Sequence, residues 1–172
     1  MYSNKKRTPA STIALGGMLA AAALVVMCLG GMIPVATYVC PVVCMLVLQA
    51  VKKICGDRIA WAWFGAVSLL GLLMGPDKEA AAVFLFIGYY PIVKPKLDGT
   101  KLHLLWKALL FNGSMILMYW ILLHVIGMAE LAEEFSDMNA ILMGILLLLG
   151  NVVFWMVDFI LSGKIRRRKR HG

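Results

Sequence analysis

The sequence predicts an all-α polytopic membrane protein with six transmembrane helices and both termini in the cytoplasm. Three observations carry that expectation. Of 172 residues, 62% are apolar and only 15% are charged, whereas soluble domains run at roughly 45–50% and about 25%. The apolar residues gather into six runs near bilayer-crossing length, about 20 residues, and the mean hydropathy is +0.85. Lys and Arg cluster in alternate connections between the runs. A chain this apolar has too few polar residues to cover an aqueous surface, so a soluble globular domain, a disordered chain and a disulfide scaffold are excluded.

The first run, from about Ser11 to Gly30, follows the basic cluster Lys5, Lys6 and Arg7. It is longer than a signal-peptide core and no small-residue cleavage site closes it, so it reads as a retained span. After the break at Gly30-Gly31, the second run covers Ile33 to Val51, where Pro41 should kink the helix or begin a shifted segment. The third, Ile59 to Met74, ends at Gly75-Pro76. The fourth, Glu79 to Val93, is short, which suits a span that is less upright or shielded by its neighbours, and Lys94-Pro95 closes it. The fifth covers Leu102 to Ile126 and the sixth Met138 to Leu161. Residues 1–172 therefore read as a single transmembrane domain, with 1–10 a cytoplasmic N-terminus and 163–172 a basic cytoplasmic tail.

Orientation follows from the short loops. With the N-terminus inside, the inner side holds Lys5, Lys6, Arg7, Lys52, Lys53, Arg58, Lys94, Lys96, Lys101, Lys107 and the tail residues Lys164, Arg166, Arg167, Arg168, Lys169 and Arg170. These are 16 of the 17 basic residues, and Lys78 alone falls outside. Acidic residues lean the other way: Asp77, Glu79, Glu130, Glu133, Glu134 and Asp137 outside, Asp57, Asp98 and Asp158 inside. The basic tail has no aromatic or loop platform for nucleic acid; anionic headgroups among the membrane lipids are its nearer partner.

No enzyme motif is present: neither a phosphate-cradling glycine loop nor a nucleophile elbow. No cofactor is implied. Of Cys28, Cys40, Cys44 and Cys55, the pair at 40 and 44 shares a helix face, but no His or carboxylate nearby completes a metal site, and the four read as packing residues. His103 and His124 read as interfacial.

Polar residues inside spans are better clues, because each needs a partner or a cavity. Asn112 and Ser114 fall in the fifth span, Asn151 and Asp158 in the sixth. Asn151 and Asp158 are seven residues apart and share a face. Antiparallel fifth and sixth spans put Lys107 and Asp158 at similar depth, either as a pair or with both groups snorkelling into the headgroups.

At the outer ends, Asp77, Lys78 and Glu79 form a tight loop, with Thr37 and Tyr38 near the start of the second span. Tyr119, Trp120 and His124 lie near the end of the fifth. Aromatic faces with a few polar groups can hold a small solute, and an ordinary interfacial belt has the same composition. The first span is rich in small residues. Ala14, Gly17 and Ala21 line one face, with Gly16, Ala20 and Ala23 beside it, and Gly71 and Gly75 repeat the spacing on the third span. Such faces admit a second helix at short distance.

The basic N-terminus, the opening Ile13-Ala14-Leu15-Gly16-Gly17-Met18-Leu19-Ala20-Ala21, the six spans and the size together resemble the S components of energy-coupling-factor (ECF) transporters, over most of the chain. Members of that family carry an Ala-x-x-x-Ala pattern in the first span; Gly17 and Ala21 match it here, with Gly preserving smallness. The resemblance implies a substrate-binding subunit of an importer for a vitamin-sized solute. It further implies docking through Gly17 and Ala21 onto a membrane coupling subunit, energy from partner ATPase subunits, and no covalent chemistry. It places the solute pocket toward the outer side, where Tyr38, Asp77, Lys78, Glu79, Trp120 and His124 fall. No residue pattern singles out a particular vitamin. The compact loops and lack of a transit peptide suit a bacterial cytoplasmic membrane. The rival expectations are a ligand-free accessory or assembly protein using the same small-residue face, and a lipid-modifying enzyme. A secondary transporter is a further alternative, against which residues 1–80 and 81–172 show no internal repeat.

Overall fold

The computed structural model describes residues 9–30, 36–127, 132–133, 135–136 and 138–169. The basic cluster at residues 5–7, the side chains of the basic tail, and Glu130, Glu134 and Asp137 lie outside the described residues. Those described are helical almost throughout and include no strand. Among the described residues, six helical segments are long and apolar enough to cross a membrane: Ala10–Leu29, Thr37–Cys55, Asp57–Met74, Lys78–Leu97, His103–Ile126 and Ile141–Ser162. The protein is an all-α, multi-pass membrane protein. Its helices fall into two compact units, Met1–Pro95 and Lys96–Gly172.

In the first unit, α1 (Pro9–Gly30) packs on α2 (Ala36–Cys55) and α3 (Asp57–Met74), and α2 and α3 both pack on α4 (Lys78–Ile87). Pro41 lies inside α2, which continues through it. The helix also runs a turn past Val51, because Lys52 and Lys53 in its last turn complement the helix dipole. A single residue then separates α2 from α3. Gly56 has φ of 88°, in the left-handed region that glycine enters without strain.

The fourth span is longer than its sequence suggests, because its helix continues past Lys94-Pro95. It is built from α4 and α5 (Tyr90–Leu97), which meet at the turn Gly88-Tyr89. Pro91 explains the break, since it has no N–H to return to the Ile87 carbonyl. Pro95 likewise leaves the Pro91 carbonyl without its helical donor. The Lys52 ammonium donates to the carbonyls of Pro91 (3.4 Å) and Ile92 (2.9 Å). This span has 61% of its apolar window buried, against 39% or less in the other five, so it is the shielded one.

The core of the first unit contains Ala23 and Met27 of α1, Cys44, Leu48 and Val51 of α2, Ala60, Trp63 and Val67 of α3, and Ala81 and Phe84 of α4. The Trp63 indole N–H donates to the Gly16 carbonyl at 3.1 Å and ties α3 to α1. Gly71 of α3 approaches α1 and α4 closely: a Cβ there would lie 3.0 Å from the Met27 sulfur and 3.7 Å from the Ala81 methyl. None of the four cysteines is bridged; Cys40 and Cys44 are buried.

In the second unit, α6 (His103–Ile121) runs into one π-helical turn, Leu122–Ile126, which Gly127 caps at φ 67°. The last helix, α7 (Ala140–Lys169), packs on α6. Phe111 and Phe154 stack between them, with ring centroids 4.7 Å apart.

The third span should be sensitive at its end. A Cβ on Gly75 would lie 2.4 Å from the Gly71 carbonyl oxygen, whereas one on Gly17 meets nothing within 4 Å. Gly75→Ala should destabilise the protein by about 1–3 kcal/mol, read as a lower melting temperature in detergent. Gly17→Ala should leave it unchanged.

Candidate functional site

The polar residues at the Asp77 end of the first unit are brought together. Asp77 caps the N-terminus of α4: Oδ1 accepts from the Ala80 N–H at 2.9 Å, satisfying a donor that no helical carbonyl reaches. Its Oδ2 accepts from the Thr37 hydroxyl at 2.7 Å. One residue on, the Tyr38 hydroxyl donates to Glu79 at 3.0 Å. Lys78 turns back and donates to the carbonyls of Leu72 (2.7 Å) and Leu73 (3.4 Å), the unpaired C-terminal end of α3. Three successive charged residues thus close two helix ends and anchor the start of α2. Tyr38 is half exposed, at 48%.

Trp120 and His124 pair with each other in the second unit. Their rings stack at 5.5 Å with 13° between planes, on the turn where the α-helix becomes a π-helix, a distortion common at functional sites. The His124 Nδ1 lies 3.2 Å from the Trp120 carbonyl. A carbonyl only accepts, so this contact is a hydrogen bond in the form of the ring whose Nδ1 carries a proton.

The first helix has two distinct faces. Gly16, Ala23 and Met27 turn inward, while Ala14, Gly17 and Ala21 are exposed beside Met18 and Val25. The residues expected to dock a partner therefore lie on the face that the first unit leaves uncovered.

Lys107, Asn151 and Asp158 belong to a polar ladder between α6 and α7. The Lys107 ammonium donates to both oxygens of Asp158, at 3.1 and 3.3 Å, and to Asp98 on the preceding turn. Three acceptor oxygens match its three N–H groups. The pairing expectation holds and the snorkelling one does not, because Lys107 is 3% exposed and Asp158 7%. Farther along, Asn112 and Asn151 exchange two hydrogen bonds, at 3.0 and 3.1 Å. Each amide gives its remaining N–H to a carbonyl of its own helix, Ala108 or Leu147. All four amide N–H groups are used.

Sequence reasoning missed the part of Asp98, which had been placed only in an inner loop. Its signal was the tight segment Asp98-Gly99-Thr100, which returns the chain toward the first turns of α6. Also missed was Ser68, 1% exposed, whose hydroxyl has no hydrogen-bond partner among the described residues. No group of three or more metal-ligating side chains occurs among the described residues.

No protein-family profile matches the chain, and no curated protein or solved structure shows significant similarity to it.

Removing one partner of a buried ion pair strands the other. Lys107→Met should therefore destabilise the second unit by about 3–5 kcal/mol. Adding Asp158→Leu should recover most of the loss, because the buried carboxylate that has lost its ammonium is removed with it. Melting temperatures of the two variants in detergent test this.

Proposed function

We propose that the chain is the substrate-binding membrane subunit of an ECF-type importer for a vitamin or similar micronutrient in a bacterial cytoplasmic membrane. Both termini then lie in the cytoplasm, and the Asp77 end faces outward. The solute-binding groups of this reading are Tyr38, Asp77, Lys78 and Glu79 in the first unit and Trp120 and His124 in the second. Solute binds, and the whole subunit then reorients, driven by a partner ATPase module. No covalent step is involved.

The observation that carries this reading is the outward face of α1. Contact with lipid tails is served equally well by large apolar side chains. Ala14, Gly17 and Ala21 instead form an exposed strip of small residues, the surface on which a second helix approaches closely enough for van der Waals packing to hold it. A membrane coupling subunit is the partner that the family resemblance implies. Energy comes from separate ATPase subunits, since the chain has no phosphate-binding motif of its own.

A second reading, a non-enzymatic accessory or assembly protein of the cytoplasmic membrane, is favoured by one observation. Thr37, Tyr38, Asp77, Lys78 and Glu79 bond to one another or to helix ends, which suits a structural turn with no ligand.

The double variant Gly17→Leu/Ala21→Leu should reduce co-purification of the coupling subunit by roughly tenfold or more, the weight of one or two lost close helix contacts. Its melting temperature should stay unchanged, because both side chains point away from the first unit. Undiminished co-purification would exclude this face as the docking surface.

A further inference from the structure

We propose that the face of α3 from Arg58 to Leu69 holds one anionic phospholipid, its phosphate on the Arg58 guanidinium and an acyl chain over Gly65. The inference needs only that the third span crosses a bilayer, and it is independent of the importer reading. Arg58, Trp61, Gly65 and Leu69 lie on one side of the helix, and all four are exposed. Gly65 is the informative residue. Its φ is not positive, so no backbone conformation demands glycine there. A Cβ would meet nothing within 4 Å, so no neighbour among the described residues demands it either. Glycine inside a helix is less favourable than alanine. What Gly65 provides is a depression between two exposed large side chains, Trp61 toward the Arg58 end and Leu69 beyond.

The charge at one end of this depression says what fills it. Arg58 stands two turns from Gly65, about 10 Å along the axis, and makes no hydrogen bond or ion pair among the described residues. Lys52 and Lys53, in the last turn of α2, bring the cations at this end to three, against the carboxylate of Asp57. That carboxylate lies 3.6 Å from the Lys52 ammonium. Between Arg58 and the depression stands Trp61, a residue type that favours the membrane–water interface. Its ring is 46% exposed, yet it is fixed from behind: Tyr89 stacks on it at 6.5 Å and Phe64 meets it edge-on at 6.1 Å. A guanidinium, an interfacial indole and an apolar gap thus follow one another in the order of a phosphate, a glycerol backbone and an acyl chain. A second helix could fill the gap, but the guanidinium at its end selects an anion with an apolar tail.

The test is native mass spectrometry of the full chain in detergent, titrated with phosphatidylglycerol or with phosphatidylcholine. The wild type should retain one phosphatidylglycerol in clear preference to phosphatidylcholine, and excess inorganic phosphate should not displace it. Arg58→Gln should weaken phosphatidylglycerol binding roughly tenfold, the weight of a charge-assisted hydrogen bond. Gly65→Leu should weaken both lipids by filling the depression, and Lys101→Gln, which removes an exposed charge elsewhere, should change neither. Equal retention of the two lipids by the wild type overturns the proposal. So does unchanged binding in Gly65→Leu, or a loss in Lys101→Gln as large as in Arg58→Gln, which would mean attraction to net charge alone. Displacement by phosphate would make this a site for a free anion and overturns it too. Both site variants should melt with the wild type, because both positions are exposed; if Arg58→Gln fails to accumulate, Gly65→Leu decides.

Discussion

A polar group held between apolar helices has no water to fall back on, and that constraint organises this molecule. Each such group must find its partner within the protein or leave the apolar region. The consequences recur at every level. Lys78 covers the carbonyls at the end of α3, and Lys52 covers the Pro91 carbonyl that Pro95 leaves without its helical donor. Trp63 places its indole N–H on a backbone oxygen of α1. Between α6 and α7, Lys107 spends all three of its protons on carboxylate oxygens, and the two asparagines spend all four of theirs on each other and on their own helices. The lysines at 52, 78 and 107 all act as closures of this kind.

The fold was largely legible in the sequence, for a physical reason. A span announces itself through twenty apolar residues in a row, and lipid permits few alternatives to a helix over that length. The ends were harder to place. Pro95 looked like a terminator, yet α5 runs through it to Leu97, because Lys52 supplies a donor that the helix itself lacks. That compensation comes from a residue 43 positions away and leaves no local trace. The turn from α to π helix after Ile121 is equally silent, since its residues are ordinary apolar ones apart from His124.

The candidate groups were legible in part. Facing residues on adjacent antiparallel spans can be paired by depth alone, and Lys107 with Asp158 follows from that. Asn112 with Asn151 obeys the same rule farther along the same two helices. The Asp77–Glu79 loop was visible as a cluster, while its work as a double helix cap was not, because capping depends on where two helices stop. On α1 the small residues were evident, and only the packing distinguishes the inward Gly16 and Ala23 from the outward Gly17 and Ala21. One observation still lacks a role: the hydroxyl of Ser68, buried in the first unit with no hydrogen-bond partner among the described residues.

The importer reading rests on an uncovered helix face and on polar and aromatic groups able to hold a solute. On that reading the face takes a membrane coupling subunit and the polar and aromatic groups take a solute. Native mass spectrometry of gently purified protein examines them together. The account predicts a retained vitamin-sized molecule, an ATPase with its membrane coupling subunit, or both. A bare protein, under conditions in which a known weak membrane complex survives, would contradict it.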